Sequence, residues 1–118
     1  MSETFNTIVL EEKDGVSIIR FKESDILDQI NIQEIGDEMN KIVESTPGIK
    51  LVVDFKGVEY LSSTALGKLI TLKRRVDSKS GELRMCNIKD SILEVFSITK
   101  LDTIFTIKPT LQEAVADL

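Results

Sequence analysis

Apolar and polar positions along the chain alternate between strand-like runs and helical spacing. Thr7 to Glu12 is apolar enough for a strand, and Lys13-Asp14-Gly15 is a hairpin-turn signal. Val16 to Phe21 reads as a second strand, so the two should pair antiparallel. Lys22 to Ile30 is polar and irregular and reads as a loop. Asn31 stands three residues before Glu34, the spacing of a capping box. Ile32, Ile35, Met39, Ile42 and Val43 follow at helical spacing, and Pro47-Gly48 ends that helix. Lys50 to Phe55 is an apolar run bounded by charge, as expected of a strand buried on both faces.

A second helix starts near Ser63, with Ala65, Leu66, Leu69, Ile70, Leu72 and Val76 on its apolar side. After a turn at Ser80-Gly81, Leu83 to Asn87 is a strand. Asp90 can cap a short helix carrying Ile92, Leu93, Val95 and Phe96. Thr103 to Ile107 reads as a fifth strand. Pro109-Thr110 opens a last helix with an apolar stripe of Leu111, Ala114, Val115 and Leu118. The order ββαβαβαβα predicts an α/β fold. Its sheet is mixed but mostly parallel, with an N-terminal antiparallel hairpin and four helices packed on it.

A length of 118 residues suits one domain spanning 1–118. A chain of this size hides roughly two thirds of its unfolded surface, enough for a core without disulfides or metals. Unbroken apolar runs such as Leu51-Val52-Val53 are far shorter than the about 20 residues of a membrane span. The N-terminal "MSETFNTIVL" lacks the basic start and apolar segment of a signal peptide. The single cysteine, Cys86, cannot form an internal disulfide. Together these predict a cytoplasmic protein without a membrane partner. The net charge of -5 argues against a direct nucleic-acid partner. The basic run Lys73-Arg74-Arg75 falls in the last turns of the second helix, where the helix dipole favours cations.

There is no histidine. That removes Ser-His-Asp and Cys-His catalysis, the common zinc sites and the usual acid/base group near neutral pH. The remaining candidates are few. Glu34, Asp37 and Glu38 read as a solvated helix face, and Glu23 to Asp28 lacks the spacing and glycine of a calcium loop. Cys86, in a strand with Leu83 and Met85, reads as a buried, inert thiol. Gly67-Lys68 is not a phosphate loop, because Leu69 stands where Ser or Thr is required. The run Ser62-Ser63-Thr64 lies between a buried strand and a helix. One hydroxyl suffices to cap that helix. Three, beyond the C-terminal end of a strand, also suit a binding or modification site.

The stretch "VVDFKGVEYLSSTALGKLI" (52–70) resembles the hallmark of STAS domains, the family of bacterial anti-sigma factor antagonists. "GELRMCNIKDSILEVFSITKLDTIFTI" and "KPTLQEAV" are similar to the later elements of that family, so the resemblance covers nearly the whole chain. Leu66-Gly67 sets the register without a gap. Ser63 then falls on the family's phosphorylated serine, with Ser62 and Thr64 as less favoured acceptors. Ser62 stands where aspartate is usual, and Ala65 where glycine is common. The resemblance implies a partner-binding surface at Ser62, Ser63, Thr64, Ala65 and Lys68. It implies a binding switch without cofactor or enzymatic activity. The unphosphorylated form would bind an anti-sigma factor that is also a serine kinase, freeing a sigma factor. A serine phosphatase would reverse the modification. The alternative is a STAS scaffold or ligand-binding module that is never phosphorylated. A small α/β enzyme using carboxylates or Cys86 is a third reading, with no motif to carry it.

Overall fold

Asp14 and Gly15 both take positive φ, 54° and 80°, the backbone of a tight turn whose twist matches the strands it joins. The structure, a computed structural model, describes residues 2–116 and 118. A short strand β1 (Ser2–Thr4) precedes β2 (Ile8–Lys13), and the tight turn links β2 to β3 (Val16–Phe21). Both pairings are antiparallel, with Leu10 opposite Ile19 in the hairpin. A two-residue strand β4 (Asp25–Ile26) then leads into helix α1 (Gln29–Ser45). Next come β5 (Lys50–Asp54), β6 (Tyr60–Leu61) and α2 (Ser63–Ser78). The chain continues with β7 (Glu82–Cys86), α3 (Asp90–Ile98), a 3-10 turn at Leu101–Thr103, β8 (Thr106–Lys108) and α4 (Leu111–Val115).

The main sheet runs β1-β2-β3-β5-β7-β8, with every pairing from β3 onward parallel. The expected mixed, mostly parallel α/β fold is therefore present, with its hairpin and four helices. Side chains of alternate strand residues point to opposite faces. One face carries Leu10, Ile19, Leu51, Val53, Leu83 and Met85 into the main core beneath α1, α2 and α3. The other carries Val16, Ile18, Val52 and Cys86 against Ala114 of the short α4. β5 is thus buried on both sides, as its continuous apolar run implied. At Gly81 a side chain would meet the carbonyl oxygen of Ile49 at 2.5 Å, so only glycine lets the α2–β7 turn lie so close to β5.

Several boundaries differ from the sequence reading. The first hairpin strand starts at Ile8 rather than Thr7, and a further strand, Ser2–Thr4, lies outside it. The segment expected to be a loop from Lys22 to Ile30 holds β4 and the opening of α1. Helix α1 is capped by Asp28, whose Oδ1 accepts from the amides of Ile30 and Asn31, and not by Asn31. Because α1 starts at Gln29, a carboxylate three residues before Asn31 satisfies its first free amides, and Asn31 itself lies inside the helix. Asp90 is the first residue of α3 rather than its cap. Asn87 leaves the β7 ladder in a left-handed conformation, φ 56°. Thr103 belongs to the 3-10 turn, so the last strand starts later, at Thr106.

Glu38 is the clearest departure. It is only 8 % exposed, not part of a solvated face. Its two oxygens accept from the amides of Asn6 (2.8 Å) and Thr7 (3.0 Å) and from the Thr7 hydroxyl. Glu34 accepts from the Asn6 side chain beside it. Burial tends to raise the Glu38 pKa, but the donors from Thr7 and Asn6 together outweigh it and leave the carboxyl below its ordinary 4.5.

Candidate functional site

The three hydroxyls sit where the sheet hands the chain to α2. At the end of β5, Asp54 is buried, 2 % exposed. Its carboxylate accepts from the following Lys56 amide (3.0 Å), from Asn87 Nδ2 (2.9 Å) and from Arg20 Nε (3.1 Å). Arg20 also pairs with Glu11 at 2.7 Å, and that guanidinium lowers the Glu11 pKa. The Asp54 bond to Lys56 turns the chain immediately after the strand. Buried Val58 anchors the loop below. The chain then rises into β6, which pairs in parallel with β4: Asp25 opposite Tyr60, Ile26 opposite Leu61. The Ser62 amide donates to the Ile26 carbonyl at 3.0 Å, extending that pairing by one step.

Ser62 is the N-cap of α2. Its Oγ accepts from the Ala65 amide at 3.2 Å, and its carbonyl takes the first helical bond from Leu66. Ser63 and Thr64 are the first two helical residues, and both are exposed. Among the described residues neither hydroxyl makes a hydrogen bond to protein. Their amides, at the first turn of a helix, have no intrahelical acceptor. The capping and the exposed functions are therefore divided between neighbours: Ser62 closes the helix, and Ser63 presents a free hydroxyl beside free N–H groups.

The other sequence candidates are placed unequally around this point. Lys68, one turn along α2, is half-buried; its Nζ reaches Gln33 Oε1 of α1 at 3.0 Å. Its stem crosses Gly36, where an added side-chain carbon would stand 3.0 Å from Lys68 Cδ. Ala65 is buried in the main core, so it presents little surface of its own. Lys73 pairs with Asp77 at 2.7 Å and Arg75 with Glu44 at 3.3 Å, so acids of the same and the adjacent helix answer much of the basic run.

Cys86 is buried as expected, although for a different reason. Leu83 and Met85 face the opposite side of the sheet. Cys86 lies instead beneath α4, with Val52 and Ala114. Burial, followed by the charge and hydrogen bond of Asp54, pushes its thiol up to about 12. Sequence reasoning missed the β4–β6 ladder, which sets Leu27 and Tyr60 beside the hydroxyls. Two-residue strands carry too little periodicity to be read, though the apolar Ile26 and Leu61 were available as anchors.

Residues 7–114 match the profile of the STAS domain. The chain belongs to the STAS domain family. A relative of this STAS domain is the protein named "Putative anti-sigma factor antagonist BtrV" from Bordetella bronchiseptica, 23% identical over 109 residues. The match covers 92% of this chain and 91% of that one. Among solved structures, an anti-sigma-factor antagonist (STAS) domain protein from Planctomyces limnophilus shares the fold at TM-score 0.83. It is 21% identical, with 96% and 98% of the two chains covered. The Bacillus cell fate determinant SpoIIAA in its phosphorylated form superposes at TM-score 0.69 and 17% identity, covering 92% of this STAS domain and 96% of that chain. Among the described residues no helix is long and apolar enough to cross a membrane.

Proposed function

We propose that this STAS domain is an anti-sigma factor antagonist whose partner binding is switched by phosphorylation of Ser63. The observation that carries the reading is the division of labour at the start of α2. Ser62 supplies the cap, which leaves the Ser63 hydroxyl exposed next to unpaired amides. Relatives named as anti-sigma factor antagonists and a solved neighbour in phosphorylated form support it.

In this reading the unphosphorylated domain binds an anti-sigma factor that is also a serine kinase, and a sigma factor is released. The kinase transfers the γ-phosphoryl group of ATP to Ser63 Oγ, the hydroxyl proton leaves, and ADP is the other product. A phosphate there gains the free N–H groups and the positive end of the helix dipole. It also adds a charge of about -1.5 to -2 to the contact surface. The fold tolerates the group; the interface does not. A serine phosphatase restores binding. The domain acts in the cytoplasm as a binding partner rather than a catalyst.

The test is phosphorylation mapped to the residue with the cognate kinase, paired with binding before and after. Phosphate should enter at Ser63. Ser63→Asp should weaken binding about tenfold or more, equivalent to roughly 1.4 kcal/mol, with the fold intact, since an acid suits the first helical turn. Ser63→Ala should still bind and resist inactivation, and Ser62→Ala should still accept phosphate. One observation favours a second reading, a STAS scaffold that is never phosphorylated: Ser62 replaces the acid usual before the acceptor. Absence of phosphate on all three hydroxyls, with full binding by Ser63→Asp, would establish that scaffold instead.

A further inference from the structure

Three large apolar side chains stand exposed around the start of the two long helices. Leu27 is 53 % exposed, Ile30 81 % and Tyr60 59 %. The β4–β6 ladder places them together. Residues in parallel register share a face, and Ile26 is buried, as Leu61 is in part. The flanking Asp25, Leu27 and Tyr60 therefore turn outward, and Ile30 follows in the first turn of α1. Scattered exposed hydrophobics need no explanation, but a cluster rimmed by charge marks an interaction surface.

On the α1 side the rim is acidic: Glu23, Asp25 and Asp28 line one depression with Ile30, and from Glu23 to Asn40 the chain has no lysine or arginine. On the Tyr60 side Lys89 is paired with Glu59 at 3.4 Å. That asymmetry selects the occupant. A second copy of this chain would set acid against acid. An anionic lipid surface would be repelled in the same way. A protein face that is apolar at its centre and carries Lys or Arg at its edge would match both features.

We infer that Leu27, Ile30 and Tyr60, edged on the α1 side by Glu23, Asp25 and Asp28, form the docking surface for a protein partner with an apolar centre and a basic rim. The inference rests on the proposed function, because the patch adjoins Ser63 and extends the same contact surface. It also says how the switch acts. A phosphate on Ser63 stands one residue beyond the Ser62–Ile26 bond that joins the patch to α2, so docking would have to strip water from a doubly charged group at the edge of an apolar contact.

The experiment places a photo-crosslinking residue at position 30, and separately at position 98, of the full chain in its native cells. Ile98 is the control, being equally exposed, at 79 %, on α3. The crosslinked protein is identified, purified and titrated against the unmodified chain. Crosslinking from position 30 and not from 98 is expected. Affinity should fall about tenfold with Ile30→Ser and stay unchanged with Ile98→Ser. It should fall again with Glu23→Lys and with rising salt. No crosslink from position 30, an undiminished affinity of Ile30→Ser, or a crosslink to a second copy or to lipid would overturn the docking surface. An anti-sigma factor that binds Ile30→Ser at full strength would overturn this inference and leave the proposed function standing. A basic-rimmed partner that obeys the pattern but is no anti-sigma factor would do the reverse.

Discussion

Ser62 and Ser63 differ by one position and by almost everything that matters physically. The Ser62 hydroxyl stabilises α2 by accepting the Ala65 amide, so Ser62→Ala should cost about 0.5–2 kcal/mol. Ser63→Ala should be close to neutral, because the described structure gives that hydroxyl no protein partner. Urea unfolding of both variants checks the order, and equal costs would contradict the division of roles. Glu38 sets a second expectation. Its folded pKa is lowered, so its contribution is present above the unfolded carboxylate pKa. It is lost as pH falls through the folded value. Glu38→Gln should therefore be destabilising near pH 7, by about 1–3 kcal/mol. The gap to the unaltered protein should narrow as the pH is lowered into the acid range, as read by unfolding at several pH values.

Short elements do much of the positioning. The β4–β6 ladder is two residues long on each side, yet it ties the loop before α1 to the loop before α2 and holds both helix starts at one place. The α2–β7 connection depends similarly on a single residue. Gly81→Ala would drive a methyl group into the Ile49 carbonyl oxygen. Because the obstacle is backbone, relief requires moving β5 or the turn. A loss of about 1–3 kcal/mol is expected, seen as a lower midpoint in chemical denaturation. Full stability of that variant would mean that the close approach is not a constraint.

Across the whole molecule the two faces of the sheet are unequally protected. Three helices cover one face; on the other, α4 of five residues shelters Val52 and Cys86. Regions with little packed apolar area open first, so the α4 side should be the weaker. Cys86 reports on it. The native thiol, pushed up to about 12 by burial and by Asp54, should label slowly at pH 8. Ala114→Trp forces a large side chain into a fully buried position against Val52 and should lift α4. Labelling of Cys86 should then accelerate about tenfold or more, while circular dichroism retains most of the helical signal of α1 and α2. Unchanged labelling would show that Cys86 is shielded by something other than α4.

The order of the major elements, the antiparallel hairpin and the buried β5 were legible in the chain, because long periodic runs and the Asp-Gly turn are local signals. The start of α2 near Ser63 was legible too, from the helical spacing of Ala65, Leu66, Leu69 and Leu72. What tertiary structure alone decided was the use of each polar residue. Glu38 looked like one of three solvated acids until the Asn6–Thr7 turn folded over it. Asp28 displaced Asn31 as a cap because the chain between Lys22 and Ile30 is pulled into a ladder by a strand some thirty-five residues away. Cys86 was buried by a layer its own strand does not announce, since neighbours along a strand face opposite sides. Residue type and spacing determine which groups can seek partners. Which partner arrives depends on contacts far apart in sequence, and these exist only once the chain has closed.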